Sequence, residues 1–113
     1  RREEAQGLYA EALARDPRDA GAWTNLGALF RSTGRHDMAL RAQERAHALD
    51  PAAPGVRNNL ANILQDTGDS ERSLALRRGL MREAPSDPMH VAMAGKALRT
   101  LGRLDEGIRL LEE

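Results

Sequence analysis

The fold is decided by one stretch, AGAWTNLGALFRSTGRHDMALRAQERAHALDPAA, residues 20–53. Trp23, Leu26, Gly27 and Phe30 are spaced three or four apart and so share one face of a helix. Gly34 interrupts that helix. A second helical run carries Ala39, Leu40, Ala46 and Leu49 inward at the same kind of spacing, and Asp50-Pro51 stops it. The stretch reads as a helical hairpin.

Displaced by 34 residues, the pattern returns. Leu26 becomes Leu60 and then Ala94, Gly27 becomes Ala61 and Gly95, and Phe30 becomes Leu64 and Leu98. The turn glycines Gly34, Gly68 and Gly102 keep this interval, as do Pro17, Pro51 and Pro85, while Leu40, Leu74 and Ile108 mark the second helix of each copy. One period before Ala39, Ala46 and Pro51 lie Ala5, Ala12 and Pro17. Residues 1 to about 15 therefore read as a second helix without its first, with Ala5, Leu8, Tyr9, Ala12 and Leu13 on one stripe. Asp19 is placed to cap the helix from Ala20, Asp69 or Ser70 the one after Gly68, and Ser86 or Asp87 the third hairpin. Pro54 and Pro88 suit first helical positions, where a missing N–H is harmless.

This spacing resembles the tetratricopeptide repeat family, whose signature is a Trp, a Leu-Gly pair three residues on, an aromatic, and later Ala, aromatic, Ala and Pro. Trp23, Leu26, Gly27, Phe30, Ala39, Ala46 and Pro51 match it, and Ala5, Tyr9, Ala12 and Pro17 match its second-helix half. Arg57 and Val91 depart from the Trp; Gln43, Arg77 and Leu111 depart from the second-helix aromatic. The resemblance implies an all-α, right-handed superhelical solenoid of about seven helices. Residues 1–19 would be the second helix of a truncated repeat, 20–53 and 54–87 full repeats, and 88–113 a partial one. It also implies that Gly27 faces Ala39, Ala61 faces Ser73 and Gly95 faces Gly107 where the helices of each hairpin cross.

Composition narrows the function. Lys and Arg number 17, as do Asp and Glu, which removes the basic footprint of a nucleic-acid binder. Lys96 is the single lysine, and so Arg-rich a chain, with much Ala, Leu and Gly, points to a GC-rich, bacterial genome. No apolar run approaches the roughly 20 residues that span a bilayer. Zero cysteines exclude disulfides, thiolate catalysis and Cys-based zinc sites. With no apolar signal core at Arg1-Arg2-Glu3-Glu4, a cytoplasmic setting is the expectation.

Catalysis has no constellation to rest on. His36, His47 and His90 fall at unrelated points of the repeat, read as surface residues, and lack the three or four convergent ligands a zinc site needs. Neither a metal nor any cofactor is expected. The glycines sit at turns and crossings rather than in a phosphate loop. Arg72, Arg77, Arg78 and Arg82 read as a solvated basic face.

The informative surface is the concave one, which the first helices line in tetratricopeptide arrays. Asn25 and Asn59 stand immediately before the Leu-Gly register. An Asn amide offers donors and acceptors to the backbone of an extended peptide whatever its side chains. This ladder is similar to that of the O-linked N-acetylglucosamine transferases. Asn62 lies a turn beyond Asn59, and Thr24, Asn58, Gln65, Met89, Met93, Lys96 and Arg99 complete the groove. The two methionines suit varied apolar side chains; Lys96 or Arg99 would favour acidic residues. The chaperone-tail binders of the family need basic and polar groups where Thr24, Ala28, Met89 and Met93 stand, so that mode of carboxylate binding is not expected. The reading is a non-catalytic module that binds a protein or peptide, with no nucleic acid and no membrane. Two alternatives are the substrate-recognition arm of a larger enzyme, such as a bacterial glycosyltransferase, and a homo-oligomeric scaffold associating through Leu104, Ile108 and Leu111.

Overall fold

Six α-helices follow one another in a computed structural model that describes residues 2–102: α1 (Arg2–Arg15), α2 (Ala20–Ser32), α3 (His36–Leu49), α4 (Pro54–Asp66), α5 (Ser70–Glu83) and α6 (Pro88–Thr100). The further helix expected near the C-terminus, with Leu104, Ile108 and Leu111, lies outside the described residues, as does Gly107. Sequential helices pack on one another, and α2 also touches α4, so the first helices of successive hairpins stand side by side. The result is an elongated stack, 47 × 26 × 22 Å.

The turns explain why each hairpin reverses alike. Gly34, Gly68 and Gly102 have φ of 78°, 92° and 75°, the left-handed region in which a Cβ is strained. At Gly34 the next N–H, of Arg35, reaches back to Phe30 O at 2.8 Å; at Gly68 that of Asp69 reaches Leu64 O at 2.8 Å. These bonds satisfy carbonyls that the helix end would leave orphaned. The starts of α2, α4, α5 and α6 are determined as locally. Asp19, Asp69 and Asp87 accept from the backbone N–H of Ala22, Arg72 and Met89, and Pro54 and Pro88 open α4 and α6.

Leu26, Phe30, Ala39, Ala42, Leu60, Ile63 and Leu64 form the main core, with Tyr9, Leu13 and Trp23 packed against it; Leu74, Ala94, Ala97 and Leu98 form a second. A side chain such as Leu60, 1% exposed, stabilises by about 2 kcal/mol through burial alone. Leu8 departs from expectation. It is 66% exposed, because the stripe of α1 that meets α2 is carried by Tyr9 and Leu13.

Two further expectations are corrected. Arg77 is not on a solvated face but 1% exposed, and His90 is not a surface residue but 7% exposed. Both sit between α4, α5 and α6. Arg77 occupies the register of the family's second-helix aromatic, which points at the hairpin partner whatever residue stands there. The small pair Ala61 and Ser73 does meet, with Ser73 Oγ donating to Ala61 O at 2.8 Å.

Gly68→Ala should lower stability by about 1 kcal/mol, since it places a Cβ in the left-handed turn. Gly79→Ala should raise it by about 0.5–1 kcal/mol, because Gly79 lies within α5 and an added Cβ would meet only ordinary contacts to Arg57 and Arg82. Urea unfolding of both variants checks the opposite signs.

Candidate functional site

The site grows from the hairpin crossing. A Cβ on Gly27 would stand 2.5 Å from Gln43 Nε2, so α2 and α3 approach closely only because this residue has no side chain. Gln43, 2% exposed, uses both ends of its amide on one residue of α2. Its Oε1 accepts from Thr24 Oγ1 at 2.9 Å and its Nε2 donates to Thr24 O at 3.0 Å. One period on, Arg77 repeats the arrangement with a longer, charged side chain. It donates through Nη1 to Asn58 Oδ1, the counterpart of Thr24, and through Nη2 to Asn62 Oδ1, the counterpart of Ala28.

The loops are held in the same register. Trp23 Nε1 donates to Pro17 O at 2.9 Å, and Arg57, which replaces the Trp, donates through Nη2 to Ala52 O at 2.9 Å and to Glu83. The Arg thus keeps the tie to the preceding loop and adds an ion pair to α5.

A ladder of side chains links first helix to first helix. Arg31 of α2 binds Asp66 of α4 through both Nε and Nη2, the second bond at 3.3 Å. One period on, Gln65 Nε2 donates to Thr100 Oγ1 at 3.2 Å. Between α2 and α4 this leaves an open pocket of about 270 Å³ lined by Ala28, Arg31, Ser32, Gln43, Asn59 and Asp66. Its hydrogen bond to Asp66 holds the Arg31 guanidinium above the usual arginine range, against the opposing effect of burial. Arg77 shifts the other way, lowered first by burial and then by the charge of Arg31. Both stay cationic at neutral pH.

Of the groove residues read from the sequence, Asn59 lines this pocket and Asn25 is exposed on α2, one turn before Ala28. Asn58 and Asn62 are brought together by Arg77. Met89, 46% exposed, Met93 and Lys96 follow one stripe of α6, with Arg99 exposed beside it. Arg31, Ser32, Asp66 and the buried pair Gln43 and Arg77 were not foreseen as site residues. Arg31 and Asp66 are one period and one residue apart, a spacing that brings neighbouring first helices into register. Gln43 and Arg77 carried a signal as polar residues in an aromatic's place. Among the described residues, no group of three His, Cys, Asp or Glu side chains could hold a metal ion. None of the described helices is long and apolar enough to cross a membrane.

With this geometry in hand, residues 8–41 match the family model described as tetratricopeptide repeat. Superkiller protein 3 of Schizosaccharomyces pombe is 36% identical over 63 residues, 56% of this chain and 4% of that protein. Cellulose synthase 2 operon protein C of Komagataeibacter xylinus is 31% identical over 138 residues, 90% of this chain and 10% of that protein. The chain thus spans a tenth or less of the curated relatives it matches. Among solved structures, MamA superposes with a TM-score of 0.88 at 18% identity, covering 98% of this chain and 61% of that one. YrrB, described as a TPR protein with an unusual peptide-binding site, superposes with a TM-score of 0.77 at 18% identity, covering 92% of this chain and 54% of that one.

Gln43→Met should cost about 1–2 kcal/mol, since it keeps the volume of the buried side chain but removes both bonds to Thr24. A double-mutant cycle with Thr24→Val, read by thermal or urea unfolding, should return a coupling of about 0.5–1.5 kcal/mol.

Proposed function

This chain belongs to the tetratricopeptide repeat family, and from that premise we propose that it is a non-catalytic module binding an extended segment of a partner protein along the face formed by α2, α4 and α6. The observation that carries this reading is the pocket between α2 and α4. It is open, it lies where first helices adjoin, and it presents the Asn59 amide beside the Arg31–Asp66 pair. Asn25 continues the polar row on α2, and both amides can exchange hydrogen bonds with a peptide backbone. Met89 and Met93 extend the face on α6 with polarizable, adaptable contact area. Lys96 and Arg99 border it with positive charge. YrrB supports the reading as a protein of the same fold with a peptide-binding site. The length of the matched relatives also supports a second reading of the same face, as the recognition arm of a larger protein that performs its activity elsewhere. So short a groove buries little surface after ordering costs, and the affinity should be about micromolar.

A peptide array probed with the protein and with the Asn25→Ala, Asn59→Ala double variant tests this function. The variant should lose about tenfold or more in binding to the peptides that the unaltered protein retains, the equivalent of one or two backbone hydrogen bonds left unmade. Equal retention by both proteins would overturn the mechanism.

A further inference from the structure

Among the described residues, Arg31 pairs with Asp66, Arg57 with Glu83, and Arg72 with Glu44. Arg77 differs. It is 1% exposed, and among the described residues its guanidinium is bounded by Asn58 Oδ1, Asn62 Oδ1 and, at 3.4 Å, His90 Nδ1. Its Nε is buried with no hydrogen-bond partner. The carboxylate of Asp87 approaches only the far side of the imidazole, 3.6 Å from Nε2. A charge withdrawn from water without a counter-charge is expensive, and any carboxylate that reaches its surroundings is strongly favoured.

The arrangement also dictates what such a group would meet. A guanidinium carries donors and no acceptor, so an Asn bonded to it must present its amide oxygen. Asn58 and Asn62 therefore turn both oxygens inward to Arg77, and their NH2 groups are what remains for a ligand. Neither NH2 group has an acceptor among the described residues, and both side chains are half-buried rather than enclosed. They stand one helical turn apart on α4, neighbours on its surface. Asn62 holds the register of Ala28, which lines the pocket between α2 and α4. The pair thus belongs to the binding face. It offers only donors, backed by a positive charge in a medium of low polarity, where that charge acts most strongly. The preceding repeat has neutral Gln43, Thr24 and Ala28 at the same places and carries no such charge.

We propose that Asn58 and Asn62, oriented and charged from behind by Arg77, form a subsite for a carboxylate, supplied by an Asp or Glu side chain of the bound segment. This deepens the function proposed above and assigns Arg77 as a positioning residue that does not itself touch the ligand. Because Arg77 fixes both amides with their oxygens inward, the subsite discriminates: a Glu is accepted, and a Gln of the same shape forfeits the charge.

Acetate, with neutral acetamide as its isosteric control, probes the subsite without any knowledge of the partner. In nitrogen–proton NMR spectra, acetate should shift the side-chain NH2 resonances of Asn58 and Asn62 saturably, while acetamide leaves them in place. Arg77→Gln, which installs the residue of the preceding repeat, should weaken the acetate response about tenfold or more. Resonances unmoved by acetate, or moved equally by acetamide, would overturn the subsite in the unaltered protein, even should the variant fail to fold. On a peptide array of matched Glu and Gln sequences, the unaltered protein should favour Glu by about tenfold, and Arg77→Gln should bind both alike. A Glu preference unchanged in a folded Arg77→Gln variant would overturn the role of Arg77. Failure of the groove reading is distinct, since the Asn25→Ala, Asn59→Ala variant would then bind peptides normally while the acetate response persisted.

Discussion

The architecture depends on how closely the two helices of a hairpin cross. At the first crossing Gly27 lets Gln43 lie against the backbone of α2; at the second Ala61 and Ser73 are small enough for a hydroxyl to reach a helical carbonyl. Larger residues would drive the helices apart or displace the side chains that bridge them. Everything on the groove side follows from this approach. Only a second helix held so near can pass a side chain between first helices and reach their inner faces, as Gln43 does to Thr24 and Arg77 does to Asn58 and Asn62.

The residue chosen for that passage decides what the groove offers. An aromatic in that place would fill space; Gln43 and Arg77 carry polarity from the interior to the side chains of the first helices. Gln43 satisfies Thr24 and leaves its repeat neutral. Arg77 occupies its two asparagines and, among the described residues, pairs with no carboxylate. That face is thus uneven along its length, with an ion pair beside one pocket at Arg31 and Asp66 and, one repeat further on, a cation that among the described residues meets no carboxylate. An extended ligand would meet these in sequence, so polarity and charge can set its direction as well as its composition.

Much of this was legible in the amino-acid order. The period of 34, the turn glycines and the caps at Asp19, Asp69 and Asp87 are local; the glycine recurs in every copy, whereas Arg35 and Ala53 stand at equivalent cap positions without a side-chain bond. What the order hid was the destination of long polar side chains. Arg77 reads as solvent-exposed because arginine usually is, and only its register in the aromatic's place hinted that it turns inward. Asn58 and Asn62 read as groove amides, yet which end of each amide faces out depends on a partner 19 and 15 residues away. Contacts between neighbouring repeats, such as Arg31 with Asp66, join positions that no single repeat pattern pairs.

Those inter-repeat ties have a mechanical meaning. Arg31 with Asp66 and Gln65 with Thr100 join residues 35 apart in a chain whose repeat is 34, so each tie is skewed by one residue from the period. They lie along the first-helix side, whereas the apolar core bonds the layers behind them. The array therefore resembles a laminated strip: a layer of packed hydrocarbon on one side, and on the other polar stays of which only the Arg31–Asp66 pair is ionic. Added salt screens the Arg31–Asp66 pair and leaves the neutral Gln65–Thr100 bond as it is, so the two stays are unequal in a way that the shared spacing conceals.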